Sequence, residues 1–190
     1  AQGEPLYQDV VTALHTAGRC VKVIGGRYGL SSKDFTPSMV KAVFDIMPES
    51  VSGRQFTVGI NDDVTGLSIP VTDETVTAPE SMKQFMFYGI GSDGTVGATK
   101  QAASILSDLS GCYVQASFDY SAKKSGGYTV SSLRLDKNPV RTEYNIQQAD
   151  YVACNKDSYV RRFSMADVLK ENGVFVLNSP WTLADMEREF

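Results

Sequence analysis

Short apolar runs that end in glycine or turn residues alternate along this chain with longer stretches in which apolar residues recur every three or four positions. The runs CVKVIGG (20–26), RQFTVGI (54–60), KQFMFYG (83–89), CYVQASFDY (112–120), GYTVSSLRL (127–135), DYVAC (150–154) and VFVLNSP (174–180) read as strands. Helical spacing marks five other segments. In LYQDVVTALHTAG the residues Leu6, Val10, Val11 and Leu14 form an inward face. TPSMVKAVFDIM (36–47) opens with Thr36 as N-cap and Pro37 at the first helical position, and Val40, Val43, Phe44 and Met47 face one way. From Thr95 onward, Ala98, Ala102, Ile105, Leu106 and Leu109 recur at helical spacing. SMADVLKENG (164–173) reads as a helix ended by Gly173, and TLADMEREF as a helix capped by Thr182. A loop-rich region containing NDDVTG, Pro70 and Pro79 separates the first strands from the rest.

Strands interleaved with helices imply an α/β fold, a three-layer domain around a mixed, mostly parallel sheet. A length of 190 residues with 42% hydrophobic content suits a single domain over 1–190. Formal net charge is −4, with 22 acidic and 18 basic side chains spread along the chain, so nothing in the charge pattern suggests a nucleic-acid surface. No apolar run has the length of a membrane span, and AQGEPLYQDV has neither a basic nor an apolar signal region. The expectation is a soluble protein without a visible targeting signal. Cys20, Cys112 and Cys154 are far apart and embedded in apolar runs, which suits reduced, buried thiols. His15, the one histidine, falls near a helix C-terminus and reads as solvated or capping, so triad and histidine-rich metal chemistry have little material.

The stretch FYGIGSDGTVGATKQAASIL carries the spacing Gly89-x-Gly91-x-x-Gly94 between a strand and a helix, the context of a dinucleotide-binding loop. Unpaired first-turn amides at the positive end of a helix dipole suit phosphate. A nicotinamide site also needs an acid on the ribose, for which Asp119, 25 residues after Gly94, is the candidate. Asp93 inside the loop opposes a pyrophosphate unless it caps Thr95 or Val96. The alternative reading is a glycine turn that packs strand against helix. Four loops fall where strands hand over to helices: GGRYGLSSKDFTP, GIGSDGTVG, SAKKSGG and NSPW. Their glycines, hydroxyls and the cations Arg27, Lys123 and Lys124 point to an anionic, phosphate-bearing ligand.

In order, VIGGRYGLSSKDFTPSMVKAVFD, FTVGINDDVT, GIGSDGTVGATK, KKSGG, QADYVAC and LNSPW resemble the third domain of single-chain pyruvate:ferredoxin (flavodoxin) oxidoreductase. The resemblance runs from about Pro5 to Trp181, and implies that this chain is one domain of a much longer enzyme. That enzyme oxidatively decarboxylates pyruvate with thiamine diphosphate and Mg2+, passes electrons through [4Fe–4S] clusters to ferredoxin or flavodoxin, and releases acetyl-CoA. No cluster ligands and no thiamine or magnesium motif occur here, so the domain is not expected to catalyse alone. The resemblance places it near coenzyme A.

The implied coenzyme A contacts are Gly25, Gly26, Arg27, Tyr28 and Gly29 along one wall, Gly91, Ser92, Asp93, Gly94, Thr95 and Val96 at a helix start, Lys123, Lys124 and Ser125 for charge and a hydroxyl, and Asn178 in a loop facing the rest of the enzyme. Each has a plain structural alternative: Asp93 as a helix cap, Arg27 paired within the domain, Lys123 and Lys124 as a solvated turn. The sequence departs from the family pattern at Ser121, Ala122 and Ser132, where aspartate, serine and histidine are usual. Implied partners are the other domains of the parent, a homodimer, and ferredoxin or flavodoxin. The implied location is the cytoplasm, or a hydrogenosome or mitochondrion-like organelle. Competing readings are the matching domain of pyruvate:NADP+ oxidoreductase or of a sulfite reductase flavoprotein, and a purely structural domain.

Overall fold

The computed structural model describes residues 3–29, 33–61, 64–123 and 126–189. Its Cα trace divides into two compact units, Ala1–Thr77 and Ala78–Phe190. The first contains α1 (Pro5–Thr16), β1 (Gly25–Arg27), α2 (Pro37–Ile46) and β2 (Gln55–Thr57), with β1 and β2 paired in parallel. The N-cap of α2 forms as its sequence implies, Thr36 Oγ1 accepting from the Met39 amide at 3.4 Å with Pro37 next in line. Its buried stripe is centred elsewhere than expected. Ala42 is buried, and Met39, Val43 and Ile46 pack with it against Phe56, Val58 and Ile69, while Phe44 is 62% exposed. Positions 39, 42, 43 and 46 form as good a helical stripe as 40, 43, 44 and 47, and the short β1–β2 pair settles the choice. The inward face expected of α1 is not found: no residue of that helix is buried, and Leu6 is 74% exposed.

The second unit holds β3 (Lys83–Ile90), α3 (Thr95–Ser110), β4 (Tyr113–Tyr120), β5 (Tyr128–Asp136), β6 (Ala149–Cys154), a 3-10 turn (Asp157–Tyr159), β7 (Leu169–Leu177) and α4 (Leu183–Glu189). The sheet order is β4-β5-β3-β6-β7. The fold is α/β with a mixed sheet: β3, β6 and β7 run parallel, and β5 runs antiparallel to both β3 and β4. One face of the sheet carries the core of Met86, Tyr88, Val152, Cys154, Tyr159 and Met165, closed by Phe163, Phe175 and Leu177. The other face receives α3, which packs on β3, β4 and β5 through its buried Thr95 and Thr99, while Ile105 and Leu109 remain exposed.

The helix expected over 164–173 is absent. Residues 165–168 form a turn, and β7 begins at Leu169. Between Ala149↔Leu169 and Tyr151↔Val174 the β6–β7 register slips, and Asn172 takes φ 64° inside the slip. A Cβ on Gly173 would lie 2.9 Å from the Lys170 carbonyl oxygen. The glycine that reads as a helix stop instead closes a bulge. The cysteine expectation holds at one position: Cys154 is buried, Cys112 half-buried and Cys20 exposed, all three free. No described helix is long and apolar enough to cross a membrane.

Candidate functional site

The C-terminal ends of β3, β6 and β7 lie at one edge of the sheet, where open α/β sheets gather ligands. Backbone hydrogen bonds tie the loops together there. Asn155 N donates to Tyr88 O at 2.8 Å and Asn178 N to Cys154 O at 2.9 Å. Gly91 N donates to Gly127 O at 2.7 Å, which fastens the glycine loop to the β4–β5 hairpin. Thus Gly91–Val96, Lys123 and Asn178, from three separate sequence motifs, meet at one edge. Lys123 is exposed and in no ion pair among the described residues.

Within the glycine loop, the seat for an anion is already taken by Asp93. Its Oδ1 accepts from the Thr95 amide and its Oδ2 from the Ile90 amide, both at 2.8 Å. Ser92 and Gly94 reach this geometry with φ of 72° and 90°. Asn155 Nδ2 then donates to Thr95 Oγ1 at 2.8 Å, locking the first turn of α3 to the end of β6. Partial burial acts to raise the Asp93 pKa, but the hydrogen bonds from Thr95 and Ile90 outweigh it and hold the carboxyl below its ordinary value. A folded-state pKa below the unfolded one gives a contribution present above the unfolded value and lost as pH falls through the folded one. Asp93→Asn is expected to lower stability by about 1 kcal/mol at neutral pH. The difference from the parent, measured by denaturant unfolding, is full above roughly pH 5 and shrinks on further acidification.

Topology also argues against a dinucleotide here. The strand after α3, β4, is separated from β3 by β5, and Asp119 shares a sheet face with Val130 and Tyr88, opposite to Gly89. The ribose-binding acid and the phosphate loop therefore point to different sides of the sheet.

The family described as "Pyruvate ferredoxin/flavodoxin oxidoreductase" matches residues 84–189, which hold all of this edge. The chain belongs to that family. It is similar to pyruvate:ferredoxin oxidoreductase of Moorella thermoacetica, 48% identical over 97% of this chain and 16% of the relative. It is similar to mitochondrial pyruvate dehydrogenase [NADP(+)] of Euglena gracilis, 50% identical over 100% of this chain and 11% of the relative. A probable pyruvate-flavodoxin oxidoreductase of Escherichia coli is 47% identical over 96% of this chain and 16% of the relative. The chain thus spans a small part of oxidoreductases several times its length.

The remaining family-implied positions have defined surroundings. Gly25–Gly29 lie in the first unit, on β1 and the turn after it. A Cβ on Gly26 would meet the ring of buried Phe56 within 3 Å, so this glycine lets β1 lie against β2, whereas one on Gly25 would meet only the movable end of the Gln55 side chain. Arg27 pairs with Glu4, Nε to Oε1 at 2.8 Å, and Tyr28 stacks on Phe35 with centroids 4.1 Å apart. Lys124 and Ser125 lie outside the described residues. Of the departures from the family pattern, Ser121 accepts from the Lys123 amide at 3.3 Å and Ser132 is buried mid-sheet. Asn155 is the site residue that the sequence reading missed. Its signal was modest: the polar residue directly after the buried run DYVAC. Among the described residues no cluster of His, Cys, Asp or Glu is placed to hold a metal.

Proposed function

We propose that this chain is the coenzyme-A-side domain of a thiamine-diphosphate-dependent 2-oxoacid oxidoreductase. The whole enzyme takes pyruvate and coenzyme A to acetyl-CoA and CO2 and passes the electrons to ferredoxin or flavodoxin. Thiamine diphosphate, Mg2+ and the [4Fe–4S] clusters belong to other domains, so the chain is not catalytic alone, and residues 1–190 act as one functional domain of a homodimeric parent in the cytoplasm or an organelle. The observation that carries this reading is the meeting of the glycine loop, the Lys123 hairpin and Asn178 at the ends of three parallel strands.

The residues fit an anionic tail selectively. Asp93 satisfies the Ile90 and Thr95 amides, so these do not serve a phosphate. The Lys123 ammonium and the Asn178 side-chain amide supply the attraction at this edge. In the first unit, Arg27 is already held by Glu4, which makes it the weaker candidate. In the full-length enzyme, Lys123→Ala is expected to raise KM for coenzyme A about tenfold with KM for pyruvate unchanged, a loss of about 1.4 kcal/mol. An unchanged KM for coenzyme A would remove Lys123 from the site. The Euglena relative, 50% identical, supplies a second reading, in which NADP+ is the final acceptor. Flavodoxin-like sequence after the cluster domains of the full gene would identify it.

A further inference from the structure

The sheet face that carries α3 is only partly covered. Register places Phe85, Phe87 and Gly89 of β3, Tyr151 and Ala153 of β6, and Val174 and Val176 of β7 on this side, together with Ser131 and Leu133 of β5. Whereas α3 packs on β3, β4 and β5, no described helix of the same unit packs on β6 or β7 to a comparable extent. There the surface is apolar. Tyr151 lies against Phe85 and Phe87 with ring centroids 6.1 and 5.9 Å apart, and beyond it Val174 and Val176 are 52% and 42% exposed. From Gly173 to Leu177 the β7 edge has no charge and no proline, although exposed edges of soluble sheets normally carry such features against unwanted pairing.

We propose that the β6–β7 half of this face receives one amphipathic helix from the polypeptide outside residues 1–190. The inference rests on the reading that this chain works within a longer oxidoreductase. Two strands at about 4.8 Å spacing present roughly the width of one helix, and α3 already fills the neighbouring half. The polypeptide to supply the helix exists in the relatives, since the chain spans 16% of the Moorella protein. A second copy pairing edge to edge along β7 would satisfy backbone groups but leave the Val174 and Val176 side chains bare, because they stand perpendicular to the sheet.

The test uses the full-length oxidoreductase carrying Val176→Cys, with Asp108→Cys on exposed α3 as the reference, and reads maleimide labelling of each site by peptide mass spectrometry. Labelling at 176 is expected to be at least about tenfold slower than at 108; equal rates overturn the proposal. A photoactivatable crosslinker attached at Val174→Cys then identifies the cover. Links to residues outside 1–190 spaced three or four apart support a helix. Links to residues 1–77, or to a second copy of 78–190, overturn it. Coenzyme-A-dependent pyruvate oxidation by the unsubstituted enzyme is read separately. Its absence removes the underlying reading and the proposal with it, whereas an active enzyme with a freely labelled position 176 removes only the helix.

Discussion

Replacing Arg134 by alanine is expected to destabilise the chain by about 3–5 kcal/mol, more than any other single change considered for this fold. The guanidinium is 3% exposed at the centre of β5, and no carboxylate among the described residues pairs with it. Four neutral acceptors solvate it instead: Gln84 Oε1 at 3.1 Å, Gln115 Oε1 at 3.2 Å, Thr142 O at 3.0 Å and Tyr144 O at 2.5 Å. The Tyr144 ring adds a face 5.4 Å from the guanidinium carbon. Desolvation lowers the Arg134 pKa, yet a guanidinium stays charged in proteins. One cation therefore holds β3, β4 and the chain after β5 together. Alanine would leave these buried acceptors unpaired and open a cavity besides. Lysine keeps the charge but not the planar fork, and is expected to recover only part of the loss. Guanidinium chloride unfolding of the three proteins measures this, and a change under about 1 kcal/mol for alanine would show that water replaces the arginine without cost.

Nothing in the sequence marks Arg134 as buried. In YTVSSLRLD it occupies a slot that period-2 alternation assigns as readily to solvent. What makes it interior is the long connection over 137–148, which folds back with its carbonyls turned inward, and such a cover is a tertiary event. The strands of the second unit were legible for the opposite reason. KQFMFYG, CYVQASFDY and DYVAC are short, aromatic or β-branched and bounded by glycine or charge, so local pattern and burial agree. In the first unit CVKVIGG and RQFTVGI yield only three-residue strands, because few neighbours exist to pair with them. The faces of α1 and α2 were illegible at the level of which apolar residue turns inward. Where several stripes are possible, the partner decides.

The site was readable as a set of loops and unreadable as a set of donors. Glycine spacing, hydroxyls and lysines located the edge at which Gly91, Lys123 and Asn178 meet. Whether the Thr95 amide is available depends on whether the Asp93 carboxylate caps it, a choice the sequence leaves open between a cap and an open loop. The glycines themselves carry mixed information. Gly26 serves strand packing, Gly94 a left-handed backbone, and Gly97 neither, since a Cβ there meets nothing within 4 Å.

That contrast makes Gly89 and Gly97 an informative pair. A Cβ on Gly89 would sit 2.5 Å from Thr95 Oγ1, 2.7 Å from Thr95 Cβ and 2.8 Å from Asp93 Oδ2. Neither neighbour is free to retreat: Thr95 is buried and held by Asn155, and the Asp93 carboxylate is clamped by two amides. Gly89→Ala is therefore expected to cost about 2–3 kcal/mol by pushing the first turn of α3 off the sheet. Gly97→Ala places a methyl group in open space on a helix and is expected to stabilise by about 0.5 kcal/mol. The two substitutions also separate packing from ligand contact in the full-length enzyme. If Gly89 acts by holding Asp93 and Thr95, its alanine variant lowers the unfolding midpoint and raises KM for coenzyme A together, because Gly91 and the Lys123 hairpin are tied to the same turn through Gly127. A Gly89→Ala enzyme that unfolds at the parent midpoint while losing coenzyme A affinity would instead place the ligand directly against the strand. A Gly89→Ala chain as stable as the parent, with KM for coenzyme A unchanged, would mean that α3 can slide, and that the Asp93–Thr95 clamp does not fix the helix to the end of β3.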